Sequence, residues 1–281
     1  MKILITGSSG MLGGDLVDVL SLGHEVVTSG SLDIRDLDGV MEFLRETRPD
    51  VVVHAAAFTD VDCAETERDT AYQVNVLGTR NIAAAASEVG SSILYISTDY
   101  VFDGEKGEGY LEFDEPNPIN FYGKTKYLGE VSVRELSERF YIVRTSWLFG
   151  TNGRNFVRTM IELAEMGHEI SVVDDQYGSP TYTRDLAEAI GKLVERPAYG
   201  VYHITNSGQC SWYEFASDIF HELGMEVQLK PVKSHEFPRP ARRPSFSVLR
   251  NYNWSMEGFK PLRSYRDALK DYLKETGAGS E

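Results

Sequence analysis

Residues 2–20 read KILITGSSGMLGGDLVDVL. Lys2 to Thr6 is a run of Leu and β-branched residues, the pattern of a short strand. Gly7, Gly10 and Gly13 follow, and Leu16, Val19 and Leu20 then form an amphipathic stretch. Strand, glycine turn and helix in that order let backbone approach a pyrophosphate, with the free N–H groups and partial positive charge of a helix N-terminus turned towards it. The spacing Gly-x-x-Gly-x-x-Gly departs by one residue from the common Gly-x-Gly-x-x-Gly form. A lone triplet is also compatible with a mere tight turn, and its place after the first strand favours the nucleotide reading. Gly7, Ser9, Gly10, Met11, Leu12 and Gly13 are therefore expected to line a dinucleotide.

Working outward, the second strand, His24 to Thr28, is expected to end beside the adenosine ribose. An acidic residue there would favour NAD and an Arg would favour NADP. Thr28, Ser29, Gly30 and Ser31 supply neither, so with no carboxylate to repel a 2′-phosphate NADP(H) is weakly preferred and NAD(H) stays open. Asp33 and Ile34 start the next turn and flank the adenine, unless Asp33 only caps a helix. Asp50 to His54 reads as a buried strand, continued by Ala55, Ala56 and Ala57, which are small enough for a flat ligand to lie against. His54 is expected as a packed or hydrogen-bonded core residue, since nothing near it has metal-ligand spacing. Ala71 to Val89 has the pattern of one long helix. Its odd member, Asn75, either bridges polar groups beneath the site or faces solvent.

The chemistry concentrates in residues 97–130, STDYVFDGEKGEGYLEFDEPNPINFYGKTKYLGE. Thr98 follows the apolar run Ser92 to Ile96, so its hydroxyl is expected at a strand's carboxyl end, where open α/β sheets bind ligands. Tyr122 and Lys126 lie four residues apart, on one face of a helix if Tyr122 opens one. This is the only Tyr-x-x-x-Lys in the chain. A free phenol titrates near pH 10, whereas general acid–base work is most efficient near the operating pH. A unit charge at about 4 Å and an effective dielectric of about 20 is worth roughly 4 kcal/mol, or about three pKa units. The Lys126 ammonium is therefore expected to bring the phenol down. Taken alone, the pair is equally a half-buried aromatic beside a solvated charge; position next to Thr98 and downstream of the nucleotide loop favours chemistry.

Bulk properties narrow the classes. The chain has 281 residues with 28 Lys and Arg against 43 Asp and Glu, a formal charge of −15. That balance argues against general affinity for nucleic acid or an anionic membrane. No secretory signal is visible at the start, and no apolar run reaches the length of about 18 residues that a membrane span needs. Cys63 and Cys210 form neither a metal spacing nor a disulfide framework, so a reduced, cytoplasmic protein with inert thiols and no metal site is expected.

Phe140 to Thr145 is another strand, ending in Ser146, Trp147, Leu148 and Phe149. Alternating strands and helices to this point predict an α/β fold with a parallel sheet covered on both faces. Beyond Gly150 the alternation loosens. Helices over 155–166, 185–194, 212–223 and 265–273, with short strands near 170–175 and 201–204, predict a smaller C-terminal lobe. Residues 1–150 thus form the dinucleotide-binding domain, and residues 151–281 mainly the substrate-binding lobe, with some segments returning to the first domain. Between Lys230 and Arg250 the cations Lys230, Lys233, Arg239, Arg242, Arg243 and Arg250 accumulate against Glu236 alone. This is either a solvated, Pro-stiffened loop or, as we favour, a diphosphate clamp of guanidinium forks.

Taken together, ITGSSGMLG at Ile5, AAAFTDVDCAE at Ala55, VNVLGT at Val74, STDYVFDG at Ser97, YGKTKYLGE at Tyr122, RTSWLFG at Arg144, DQYGSPT at Asp175 and RRPSFSVL at Arg242 resemble the extended short-chain dehydrogenase/reductases. More narrowly, their order and spacing are similar to the dTDP-4-dehydrorhamnose reductase family over nearly the whole chain. The resemblance implies a Rossmann-type doubly wound sheet and a catalytic set of Thr98, Tyr122 and Lys126, the last two also on the cofactor ribose. It places Asp99, Tyr100 and Trp147 against the deoxysugar, and Val61 and Arg243 are expected to join them in binding the nucleotide-diphosphate sugar. His54 stands where an Asn is often found. The implied reaction is NAD(P)H-dependent reduction of the C4 keto group of dTDP-4-dehydro-6-deoxy-L-mannose. A homodimer is compatible with the resemblance; the metal-bridged dimers of some members are not carried over, because no matching Glu residues can be placed. Two rival readings are a regulatory nucleotide-binding subunit resembling the methionine adenosyltransferase β subunit, and another nucleotide-sugar ketoreductase or epimerase.

Overall fold

The computed structural model describes residues 1–167 and 169–278. Its centre is a six-stranded, wholly parallel sheet of β1 (Lys2–Thr6), β2 (Glu25–Thr28), β3 (Val51–His54), β4 (Ser92–Thr98), β5 (Phe140–Thr145) and β6 (Gly200–His203), in the order β6-β5-β4-β3-β1-β2. Strand residues alternate between two cores, as a pleat requires. Ile3, Ile5, Val51, Val53, Leu94 and Ile96 enter one, while Leu4, Val52, Ile93, Tyr95 and Ile142 enter the other. Parallel strands are covered on both faces, which is why they read as continuous apolar runs.

Helices α1 (Met11–Leu20), α2 (Leu37–Thr47), α3 (Thr79–Glu88) and α4 (Phe121–Leu136) follow β1 to β4. The chain leaves β1 to one side towards β2 and returns to the other at β3. That reversal makes a crevice beyond the carboxyl ends of β1 and β3, the expected ligand position in such sheets. The long helix expected over 71–89 is instead Arg68–Tyr72, a π-helical turn over Gln73–Gly78, and α3. Asn75 sits in the π turn. It is buried, accepts the Phe58 N–H at 2.8 Å, and donates to the Phe58 carbonyl and to Thr125 Oγ1, both at 3.0 Å. It bridges polar groups and does not face solvent.

After β5 come α5 (Phe156–Glu165), α6 (Thr183–Val194), α7 (Trp212–Glu222) and α8 (Tyr265–Glu275). A third core, rich in aromatics, gathers Phe149, Val157, Tyr182, Phe215, Tyr265, Leu269 and Tyr272. The short strand near 201–204 belongs not to this lobe but to the main sheet, as β6 beside β5. Helix α6 likewise packs Leu186 and Ile190 into the core of α1. The apolar stripe of α6 is long enough to cover α1, so this segment closes the sheet layer before the chain re-enters the second lobe. Among the described residues no helix is long and apolar enough to cross a membrane.

Candidate active site

One cleft of about 1100 Å³ runs along the carboxyl ends of the strands. Gly7, Ser9, Gly10, Met11, Leu12 and Gly13 line it, as do Ser29, Asp33, Ile34, Ala55, Ala56, Ala57, Val61, Thr98, Asp99, Tyr100, Tyr122, Lys126 and Trp147. Every site residue read from the sequence except Arg243 is thus brought to one cavity.

The glycine turn is shaped for a dinucleotide. Gly7 has φ +71, a left-handed value, and a side chain there would lie 2.6 Å from the Ala56 nitrogen. One at Gly13 would strike the Gly7 carbonyl. The turn therefore packs backbone on backbone, pressing β1 and β3 together where a pyrophosphate would lie. Helix α1 has no side-chain cap and no acidic residue in its first turn, so its leading N–H groups remain free for an anion.

At the adenosine end, Asp33 is not the cap of α2, whose N-cap is Asp36. Asp33 accepts a fork from Arg35, Nε to Oδ1 at 2.9 Å and Nη2 to Oδ2 at 2.7 Å. That contact holds its carboxyl down at about 2. Arg35 also lines the cleft. The cation that seemed missing after the second strand enters from the next turn, a few residues further along the chain.

The reacting end is built where β4 and β5 finish. Thr98 and Thr145 are register partners at the strand ends. Asn120 caps α4, its Oδ1 accepting the Gly123 N–H at 2.7 Å, and this sets Tyr122 and Lys126 on the first turns facing Thr98. Beneath them lies a buried ion pair. Arg144 Nε and Nη2 donate to the Glu130 carboxylate at 2.8 and 2.7 Å, and Ser97 Oγ donates to its Oε1 at 2.6 Å. Arg144 and Glu130 are wholly buried. The network joins β4, β5 and α4 directly below the catalytic candidates, where losing one partner would leave an uncompensated charge and cost about 3–5 kcal/mol.

The electrostatics differ from the sequence expectation. Burial, followed by the charge of Asp99, pushes the Tyr122 phenol above its ordinary range, and contact with Thr98 only partly offsets this. Lys126 does not bring it down. Its Nζ lies 4.2 Å from the centre of the Tyr95 ring, and burial lowers its own pKa to about 7, with Glu130 opposing. Asp99 is raised to about 7, by burial above all. It accepts Thr98 Oγ1 at 3.0 Å and Ser247 Oγ at 2.5 Å, while the Tyr100 N–H donates to Thr98 Oγ1 at 3.2 Å. Tyr100 meets Tyr122 edge to face, centroids 6.1 Å apart.

The basic segment 230–250 does not form a clamp of six cations. Lys230, Lys233, Arg239, Arg242 and Arg250 are exposed, and Arg243 alone is half-buried. Its guanidinium grips Asp62, Nη1 to Oδ1 at 2.8 Å and Nη2 to Oδ2 at 2.9 Å. The acidic loop after Ala57 holds this arginine most closely; exposed Arg239 reaches the same Asp62 only at 3.8 Å, and Lys233 lies 3.9 Å from Asp174. His54 is a core residue, as expected: Nδ1 meets Thr6 Oγ1 at 2.6 Å, Nε2 meets Thr79 Oγ1 at 3.1 Å, and burial lowers it to about 3. The Cys210 thiol is pushed up to about 12 by burial, and a contact with Asp60 raises Cys63.

Several residues of the site escaped the sequence. Arg35, Arg154 and Trp212 line the cleft, and Asp62 and Ser247 hold Arg243 and Asp99. Arg35 shares a turn with Asp33 and was open to inference. Trp212 and Ser247 carry no local signal, because they arrive from the second lobe.

The fold and the cleft define a Rossmann-type α/β protein with a Tyr–Lys pair at the carboxyl edge of its sheet. The chain belongs to the family described as the RmlD substrate binding domain, whose model matches residues 1–277. It is 43% identical over 283 residues to the spore coat polysaccharide biosynthesis protein SpsK of Bacillus subtilis, covering 100% of this chain and 99% of that protein. It is 43% identical to a dTDP-4-dehydrorhamnose reductase of Streptomyces griseus, over 95% of this chain and 91% of the relative. The crystal structure of dTDP-4-dehydrorhamnose reductase from Bacillus anthracis in complex with NADP superposes with a TM-score of 0.96 at 45% identity, covering 98% of this chain and 99% of that one.

Proposed function

We propose that this protein reduces the C4 keto group of dTDP-4-dehydro-6-deoxy-L-mannose to give dTDP-L-rhamnose, with NADPH as the preferred reductant and NADH as a possible substitute. The observation that carries the reading is the joining, in one cleft, of a backbone-packed glycine turn with Thr98, Tyr122 and Lys126. The names of the relatives supply the sugar, and the NADP-bound relative supports the cofactor. Residues 1–150, with α6 and β6, form the cofactor-binding part; most of the remainder forms the sugar lobe. Two unpaired cysteines suit a reducing cytoplasm.

When bound, the nicotinamide supplies a hydride to the carbonyl carbon. Gly7 to Gly13 hold the pyrophosphate, Ser29, Asp33 and Ile34 the adenosine, and Ala55 to Ala57 the flat face between. Tyr122 gives its proton to the carbonyl oxygen as charge develops there. A phenol kept above its ordinary range stays protonated at neutral pH, ready to act as the acid. Thr98 steadies the same oxygen, and donors of this kind contribute about 3 to 4 kcal/mol. Its single proton is directed to Asp99 in the free protein, so the hydroxyl turns from Asp99 to the substrate oxygen when the sugar binds. Lys126, one turn further along the same helix, holds the ribose. Val61, Asp99, Tyr100 and Trp147 hold the sugar, and Arg243 closes the rim through Asp62.

The test mixes purified protein with NADPH, or separately with NADH, adds the dTDP-4-keto sugar, and follows absorbance of the reduced cofactor. Tyr122→Phe should lose about 10²- to 10⁴-fold in kcat, the range for a positioned general acid. Cofactor that binds but is not consumed when the sugar is present would overturn the reading.

A further inference from the structure

We propose that Trp212 is a positioning residue for the sugar: its indole fixes where Trp147 stands, and so sets the affinity for the deoxysugar without touching the cofactor. The inference rests on the reading of Trp147 as a sugar contact. Trp147 has φ 49, a left-handed backbone that a bulky residue keeps only where its surroundings over-determine it. The surroundings are visible. The Thr181 N–H donates to the Trp147 carbonyl at 3.2 Å, and on the residue before, Ser146 Oγ donates to the Ser179 carbonyl at 2.6 Å. The indole stacks on Trp212, ring centres 3.5 Å apart and planes within 7°. Phe156 supports Trp212 in turn, at 4.6 Å.

Trp212 is itself anchored. It opens α7 directly after Ser211, whose hydroxyl accepts the Glu214 N–H while the Glu214 carboxylate accepts the Ser211 N–H. Cys210 and Ser211 pair with Gly178 and Tyr177 in a two-stranded ribbon, and Gly178 also abuts Trp147, where any side chain would strike the indole. Ribbon and helix cap therefore grip Trp147 as one unit of the second lobe, while Thr98 and Tyr122 stand on the first. Both tryptophans line the cleft. Among the described residues the Trp147 indole N–H meets no protein acceptor, so an apolar edge and a free donor are presented together. That combination suits a pyranose bearing both a methyl group and hydroxyls.

The experiment compares Trp212→Leu, Trp212→Phe and the unaltered protein in steady-state kinetics with NADPH and the dTDP-4-keto sugar, with near-ultraviolet circular dichroism and a thermal melt on each. The chain holds three tryptophans, so a stacked indole pair gives an exciton signal that Trp212→Leu abolishes and Trp254→Phe leaves intact. Trp212→Leu should raise the sugar KM about tenfold, the upper range of an aromatic pair, with the NADPH KM within about twofold and kcat largely kept. Trp212→Phe should restore most of the sugar affinity. An unchanged sugar KM in Trp212→Leu with the exciton signal gone overturns the proposal, and so does a parallel rise of both KM values. An unaltered protein that never turns over the sugar instead sinks the function on which the proposal rests.

Discussion

Along one side of the cleft, the glycine turn, Ala55 to Ala57, Thr98, Tyr122 and Lys126 all follow strand ends of a single sheet, so the parallel register alone brings them together. Along the other, Trp147 takes its place from Trp212, and behind the lining Arg243 and Ser247 pair with Asp62 and Asp99, each partner distant in sequence. The first wall is set by the sheet register, and it buries ionisable groups against their preference. The second is assembled from side-chain pairs, several of them at the rim. The difference teaches where free energy has been set aside for chemistry and where it is spent on closing the site.

If the sheet wall truly holds its charges under duress, Lys126 should show it most. Its ordinary value of 10.5 falls to about 7 on burial. Below pH 7 both folded and unfolded chains carry the charge, and the folded state bears the full penalty, on the order of 5 kcal/mol. Between pH 7 and 10.5 the unfolded chain binds the proton and the folded chain does not, so stability rises with pH. Asp99, raised from 3.8 to about 7, works in the adjoining window: stability falls as pH climbs from about 4 to 7. Lys126→Met should therefore melt several degrees higher at pH 6 while losing turnover. Its stability should stop rising between pH 7 and 10. Thermal melts across pH 5 to 10 decide; a variant that melts lower at pH 6 would show that the charge is comfortable where it is.

The glycine turn gives a sharper contrast between neighbours. An added methyl at Gly13 meets the backbone of Gly7 and Ser8, which cannot yield, whereas at Gly14 it meets only the Asn152 side chain. Gly13→Ala should cost about 1–3 kcal/mol, as overpacking does, and weaken NADPH binding at least about tenfold, since 1.4 kcal/mol already corresponds to that factor. Gly14→Ala should leave affinity nearly unchanged. Equal effects in the two variants, by fluorescence titration, would remove the backbone-packing account of the turn.

The same contrast explains what could be read in the chain. Elements of the sheet wall announce themselves locally: apolar runs for β1 to β5, glycine spacing for the turn, and the i,i+4 placement of Tyr122 and Lys126. Their sign of action was less legible. Whether an ammonium lowers a phenol depends on where its charge settles, and Lys126 settles over Tyr95. Periodicity likewise merged 71–89 into one helix, because a π turn adds one residue without breaking the apolar pattern; only the buried bonds of Asn75 show why it is there. The return of 183–204 to the main sheet was invisible in detail, since β6 is short and its partner β5 lies far back in sequence. Trp212, Ser247 and Asp62 were missed for the same reason: their roles are pairings across long loops, and no spacing rule encodes them.

The smallest expected effect is at the rim, and it bears on whether the second wall is merely closed or also reads the substrate. Arg243 and Asp62 form a fork in which both side chains keep about a fifth of their exposure, 19% and 22%. Contact with Arg243 is the main cause that holds Asp62 below its usual range. Exposed pairs typically contribute 0.2–1 kcal/mol, while a bidentate and partly shielded guanidinium does somewhat better, so a coupling of about 1 kcal/mol is expected from a double-mutant cycle on Arg243→Met and Asp62→Asn. As a latch, the pair predicts that each variant raises the sugar KM by a similar few-fold factor and that the double variant adds little. If Asp62 instead only occupies a guanidinium meant for the diphosphate, Asp62→Asn should release Arg243 and lower the sugar KM. The two outcomes differ in sign, so even a small effect separates a wall held shut by its own ion pair from one that exchanges that pair for substrate.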